Sequence, residues 1–164
     1  MTTTSNIKLA PAEGRRADFA NLGNRFMIDA AQTDGRFALI EHTIAPRALA
    51  APMHIHERED EYSFVLSGRM GAQIGDDTVE AGAGDLVIKP RGIWHAFWSA
   101  SDEETHVLEI ISPGEFAGYF EELAPLLSAE HPDFAKLSEV QARYALTMDM
   151  DSIGPLVEGH GLRP

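Results

Sequence analysis

The sequence predicts an all-β domain, an antiparallel barrel or jelly roll with a short helical C-terminal segment. Two observations lead there. Between residues 25 and 111 the chain breaks into short apolar runs rich in β-branched and aromatic residues, separated by Gly, Pro and Asp turns. Such spacing marks antiparallel barrels and jelly rolls. After Ser112-Pro113-Gly114 the period changes, and Phe116, Tyr119, Phe120, Leu123, Leu126 and Leu127 recur at helical spacing, giving one apolar face. A chain of 164 residues, 44 % hydrophobic, has room for one domain with a useful core.

Residues 1–20 are polar and without sustained period, and read as a loose N-terminal arm or a first edge strand. Residues 21–112 are assigned to the barrel. Arg25 to Ala30 and Arg36 to Ile44 flank QTDG, whose Asp34-Gly35 pair signals a tight hairpin turn. APRALAAP, residues 45–52, has a proline near each end and reads as a loop. Further strands are expected over Tyr62–Leu66, Arg69–Ile74, Thr78–Ala81, Leu86–Ile88, Trp94–Ser99 and Thr105–Ile111. Residues 113–164 form a helical segment packed on the barrel. It comprises a first helix starting near Ser112 or Pro113, a second over Pro132–Tyr144, and one short helical turn in DSIGPLVEGHGLRP. The apolar face of the first helix suits either a lid over the barrel mouth or packing against its outside.

The candidate site lies in PMHIHEREDEYSFVLSG, residues 52–68. His54 and His56 are two apart in an extended stretch, so both imidazoles face one way. If the charged residues after them reverse the chain, Glu61 returns beside them. His95 follows 34 residues later inside GDLVIKPRGIWHAFWS. Neutral imidazole suits zinc, copper, iron and nickel, and a carboxylate adds charge to the set. Burying these four polar groups in a small barrel without a shared partner would be costly. His54, His56, Glu61 and His95 are therefore assigned to metal.

The two blocks resemble the paired signature of the cupin superfamily, G-x5-H-x-H-x3-4-E-x6-G and G-x5-P-x-G-x2-H-x3-N. His54, His56, Glu61 and Gly68 fill the first, and Gly84, Pro90, Gly92 and His95 fill the second. Ala48 stands where the first motif has its leading Gly, and Ser99 where the second has its final Asn. Both are turn or packing positions. The resemblance implies a cupin double-stranded β-helix holding one divalent transition metal per chain, with iron, manganese, nickel, copper, cobalt and zinc all admissible. It also implies a homodimer. The tail SPGEFAGYFEELA followed by Tyr-Ala-Leu resembles single-domain cupins grouped with bacterial quercetin dioxygenases. This implies an enzyme, a quercetin 2,3-dioxygenase-like oxidoreductase acting on a small phenolic or enolic compound, with Glu61 as ligand and candidate catalytic base. A metal-dependent isomerase, cyclase or decarboxylase of secondary metabolism, or a non-catalytic small-molecule binding cupin, stays open beside it.

Composition narrows the partners. With 26 acidic against 13 basic side chains, a net charge of −13, the surface repels phosphate backbones and anionic lipid, which argues against nucleic acid and membrane. The absence of cysteine removes disulfides and thiolate metal sites. No run approaches a membrane span, the first residues lack the pattern of a secretory signal, and a cytoplasmic location is expected.

Other candidates get ordinary roles. His42, His106, His131 and His160 have no partner spacing and are assigned to surface or packing. Phe97 shares strand parity with His95 and is a candidate for the pocket wall, whereas Trp94 and Trp98 have the opposite parity. Met53, Ile55, Tyr62 and Phe64 are read as core or interface, and Glu57, Glu59 and Asp60 as a solvated turn.

Overall fold

The computed structural model describes residues 8–131 and 133–163. Residues 1–7, the start of the expected arm, and Pro132, where the second helix was expected to begin, lie outside them.

Among the described residues ten strands form two five-stranded antiparallel sheets, packed as a jelly roll. One sheet contains, in spatial order, β1 (Leu22–Ile28), β2 (Ala38–Ile44), β9 (Thr105–Ser112), β4 (Asp60–Ser67) and β7 (Leu86–Lys89). The other contains β10 (Leu146–Asp149), β3 (Leu49–His56), β8 (His95–Ser99), β5 (Arg69–Ile74) and β6 (Asp77–Gly82). Side chains on β2 and β9 alternate between buried and half-buried, as strands with one face on a core must. Ile40, Ile44, Val65, Met70, Val107 and Ile111 fill the space between the sheets. Residues 15–19 run beside β1, with Phe26 N–H donating to the Arg15 carbonyl and Ala17 N–H to that of Asn24.

Four local features differ from the sequence expectation. QTDG is not a two-residue turn: a 3-10 turn, Ala30–Thr33, precedes Asp34 and Gly35, which carry the left-handed conformation (φ 54° and 76°). Thr33 Oγ1 donates to the Phe37 carbonyl at 2.5 Å and makes the longer connection possible. β3 begins at Leu49, inside the expected loop. Pro52, which has no N–H to donate, falls where the β3–β8 register slips, so the strand tolerates it.

The third difference is β10, within the segment read as helical. Four residues are too few to display an alternation, and the strand is defined instead by pairing with β3, Leu146 opposite His56 and Met148 opposite His54. Finally, the tail is two helical turns rather than one: α3 (Ile153–His160), closed by Gly161 at φ 62°. Its Leu156, with Leu162, packs on Ala96 and Trp98, which explains why all of β8 is buried. The other helices, α1 (Ala117–Leu127) and α2 (Phe134–Arg143), lie close to the expected spans. Asp133 caps α2, its side chain accepting from Lys136 N–H at 3.1 Å. No helix among the described residues is long and apolar enough to cross a membrane.

Candidate metal centre

The strand period and two hairpins bring the four residues together. His54 and His56 project from β3 into the barrel, and β8 places His95 directly opposite His54. Glu61 arrives from β4 in the facing sheet, after the reversal at residues 57–59. One ligand atom from each of His54, His56, Glu61 and His95 lies within 4.8 Å of all the others. All four are buried, none more than 4 % exposed. Gly92 secures the end of β3, its N–H donating to the His56 carbonyl at 2.8 Å, and its φ of 74° favours glycine.

The hydrogen bonds orient the rings. His54 Nδ1 donates to the Pro52 carbonyl at 2.8 Å and His95 Nδ1 to that of Ile93 at 3.0 Å. This tautomer leaves Nε2 with its lone pair. His95 Nε2 then faces Glu61 Oε2 at 3.3 Å, and His56 Nε2 faces Glu61 Oε1 at 3.6 Å. His56 Nε2, His95 Nε2 and Glu61 Oε2 have no hydrogen-bond partner among the described residues. Lone pairs converging without protons between them repel one another, and a cation at their centre relieves that repulsion. The donor set therefore fits a metal ion: three imidazoles and one carboxylate suit a borderline divalent cation.

Electrostatics favours the same protonation states. Burial holds the His54 imidazole well below its ordinary pKa, and the adjacent His95 and His56 lower it further; burial also lowers His95. Both stay neutral, as ligands must. Burial alone would raise Glu61, but Lys89 and His56 outweigh it and hold the carboxylate well below the usual range.

Behind Glu61 lies a charged group that the sequence reading missed. Lys89, at the end of β7 and 1 % exposed, places Nζ 2.9 Å from Glu61 Oε2 and 3.1 Å from Glu109 Oε1. These are close ion pairs, although neither carboxylate oxygen accepts a well-aligned hydrogen bond. Ser63 Oγ donates to the other Glu109 oxygen at 2.7 Å, and Lys89 sits 4.5 Å from the centre of the Phe97 ring. Burial raises Glu109 to about 7 against the pull of Lys89. A signal for this group was present: Lys89 shares parity with Val87, and Glu109 with Val107 and Ile111, so each is a charge on the inward face of an apolar strand.

Beside the cluster opens a cavity of about 390 Å³. Its lining includes His54, His56, Glu61 and Phe97 from the barrel, Phe116, Tyr119 and Phe120 at the start of α1, and Leu137 of α2. The C-terminal segment is thus a roof: the apolar face of α1 covers the barrel mouth, and the Phe116 ring stands edge-on to His56 at 4.3 Å. Among the described residues no lysine or arginine lines the cavity, and Phe134 and Met150 stand largely exposed at its rim.

The remaining expected roles divide. Phe97 is a cavity wall, as its parity suggested. Trp98 faces α3 and stacks on His160 at 4.1 Å, and His106 lies 3.3 Å from Glu41. The expected solvated turn needs correction at Glu59, which is buried 3.6 Å from His56 Nδ1; Asp60 begins β4 and pairs with Arg91 at 2.6 Å. His42 is not a surface residue: it is 1 % exposed and lines the cavity. The two departures from the motif meet, since Ser99 N–H donates to the Ala48 carbonyl at 3.0 Å. Arg47, at φ 51°, takes the left-handed conformation next to Ala48, so Ala48 itself needs no glycine.

Fold and cluster define the class: a jelly-roll protein with a buried centre of three histidines and one glutamate. Residues 40–111 match the family model of the cupin domain, Cupin_2. An uncharacterized protein of Streptomyces coelicolor is 39 % identical over 57 residues, which cover 35 % of this chain. The match spans about half, 53 %, of that relative's length. Among solved structures, KdgF from Halomonas sp. superposes with a TM-score of 0.60 at 15 % identity, covering 70 % of this chain and 99 % of the other. A predicted oxalate decarboxylase from Thermotoga maritima gives 0.60 at 16 %, covering 65 % and 98 %. A sugar phosphate isomerase from Silicibacter pomeroyi gives 0.56 at 17 %, covering 64 % and 74 %. At such identities the likeness is one of fold.

Proposed function

We propose that this protein is a metal-dependent cupin enzyme, a dioxygenase similar to bacterial quercetinases, acting on a small apolar phenol or enol. The observation that carries the reading is the cavity: about 390 Å³, walled by aromatic and aliphatic side chains, and opening onto the four-residue cluster. A sugar phosphate or a dicarboxylate would find no lysine or arginine there to balance its charge. A flat aromatic compound would stack against Phe97, Phe116 and Phe120 and present its oxygens to the cluster.

The Nε2 atoms of His54, His56 and His95, with Glu61, would hold the metal. When bound, that ion supplies Lewis acidity and coordination positions for substrate and dioxygen. The chain does the rest. Phe116 and the face of α1 exclude bulk water from the reacting end. Glu61, held ionised by Lys89, accepts a proton only from a hydroxyl that is itself acidified, as a phenol or enol oxygen beside a cation is. This matches the substrate class to the base.

Oxygen uptake is the test. Protein reconstituted with iron, manganese, nickel or cobalt should consume oxygen when given a flavonol or related enolisable phenol. Glu61→Gln should retain metal on its three imidazoles and lose about a hundredfold or more in turnover. No uptake across such a panel, with metal in place, would turn the reading to an isomerase, cyclase or decarboxylase using the same cluster, or to a binding cupin. We also infer a homodimer, paired through the outer face of β4 and β7. There Phe64, Leu66, Leu86 and Ile88 are exposed side by side, with Phe64 directly opposite Leu86.

A further inference from the structure

One polar group in the cavity wall has no task in this scheme. His42 lies in the middle of β2, is 1 % exposed and lines the cavity, and its Nδ1 has no hydrogen-bond partner among the described residues. It is not part of the metal-binding cluster. Its neighbours on β2, Ile40 and Ile44, show what the position takes when only packing is required. A buried imidazole without a partner carries a desolvation cost that an aliphatic side chain avoids.

Its place in the cavity is informative. The His42 ring lies 6.1 Å from Phe97 and 5.4 Å from Phe120. Phe97 is two residues along β8 from His95, roughly 7 Å at the rise of a strand. On the roof, Phe120 is 5.6 Å from Phe116, which in turn is 4.3 Å from His56. Aromatic rings thus connect two polar ends, the cluster at one and His42 at the other. A flat ligand lying along those rings reaches both.

The surroundings of His42 leave it free to accept a hydrogen bond. Asn24 lies directly across the β1–β2 pair; its amide nitrogen donates to the Ala17 carbonyl at 2.7 Å, while its Oδ1 has no partner. Cross-strand partners hold their Cβ atoms about 4.5–5.5 Å apart. Asn24 Oδ1 and His42 Nδ1 both lack a partner and do not bond each other, and a neutral imidazole offers one lone pair whichever nitrogen carries its proton. Burial pushes the His42 pKa down to about 3, so the ring is neutral and can accept.

We propose that His42 is the second anchor for the ligand, accepting a hydrogen bond from a hydroxyl on its far ring while its metal-binding oxygens occupy the cluster. The ligand class is a flat hydroxylated aromatic of two or more rings, long enough to place an uncharged hydroxyl at His42 while its chelating oxygens face the cluster. This deepens the reading of the cavity as a substrate site and rests on it.

The test compares 3-hydroxyflavone with its 7-hydroxy and 4′-hydroxy derivatives, titrated anaerobically into the metal-loaded protein and followed by calorimetry. One derivative should bind about tenfold tighter than the parent, the worth of one buried neutral hydrogen bond. His42→Phe should erase that preference and leave the affinity for the parent and the metal content within about twofold, a margin below the worth of one such bond. His42→Gln, which keeps an acceptor, should restore part of it. Should the Phe variant fail to fold, His42→Leu supplies the same comparison. An undiminished preference without the imidazole, no hydroxyl preference in the wild type, or no binding of any of the three overturns the proposal. Failure of the dioxygenase reading looks different: binding and its dependence on His42 persist, but no oxygen is consumed when air is admitted.

Discussion

Replacing Lys89 with Met isolates the energetics beneath the metal centre. In the wild type one buried ammonium stands within 3.1 Å of two buried carboxylates, Glu61 and Glu109. Met fills much of the lysine stem's space but leaves both acids without their cation. Removing one partner from a buried ion pair costs about 3–5 kcal/mol. Glu109 can escape part of that cost by taking up a proton, so the loss should depend on pH. Its folded pKa is already raised to about 7 from an ordinary 4.5. Between those values folded Glu109 holds a proton that the unfolded chain has released, so this group's contribution to stability falls as pH rises from 4.5 to 7. At about 1.36 kcal/mol per pH unit the Glu109 contribution falls by ~3 kcal/mol over that window, and in the variant, whose Glu109 lacks the opposing lysine, it falls by more over a wider one. Urea denaturation of the metal-free protein at pH 5 and pH 8 measures both quantities. Lys89→Met should be destabilised by about 3–5 kcal/mol at pH 8 and by less at pH 5, and adding Glu109→Leu should recover much of the loss. A single variant within about 1 kcal/mol of wild type at pH 8, the effect of an ordinary substitution, would refute the description of Lys89 as a buried counter-charge.

Further outcomes follow from the same geometry. His95→Ala should cut metal content sharply, because a set closed at 4.8 Å loses the residue facing both His54 and Glu61; full occupancy by elemental analysis would remove the four-ligand centre. Acid should destabilise the metal-free chain through His42. Its folded pKa of about 3 lies below the ordinary 6.5, so the unfolded state binds the extra proton and stability falls as pH drops from 6.5 toward 3. Denaturation of His42→Phe at pH 4 and pH 7 should show a smaller difference than wild type, and equal differences would contradict that assignment. Light scattering at micromolar concentration should give the mass of a dimer, and Leu86→Glu with Ile88→Lys should give a monomer; a monomeric wild type would dispose of the β4–β7 interface.

Much of the metal centre was legible because its information is local. His54 and His56 need only a strand's period to face one way, and Glu61 needs only the reversal that follows. His95 needed the spacing of Pro90 and Gly92, which fix a turn rather than a packed contact. The nine barrel strands were legible for the same reason. What escaped depends on partners distant in sequence. β10 is a strand because β3 offers an edge, not because of four residues of pattern. His42 enters the cavity because β2 is an inner-facing strand, and no local signal separates a cavity histidine from a packed one. Lys89 and Glu109 were readable as charges at inward parity, but only their meeting across β4 shows that each compensates the other.

The chain divides its chemistry unevenly along its length. The cupin match ends at residue 111, and within it lie all four residues of the His/Glu cluster, His42, Phe97 and the Lys89–Glu109 pair. Phe116, which begins the roof, lies outside it, as do Tyr119, Phe120, Leu137 and β10. The barrel thus carries the cluster while the tail walls the cavity beside it, a division by which one fold can host many reactions. Here the tail also has a structural duty. By pairing with β3, β10 turns the strand that bears His54 and His56 from an edge into an interior strand and covers its free hydrogen-bonding groups. Changes in α1 that leave β10 in place should alter the ligand without loosening the metal, whereas loss of β10 should disturb both, because the histidines and the roof share that strand as support.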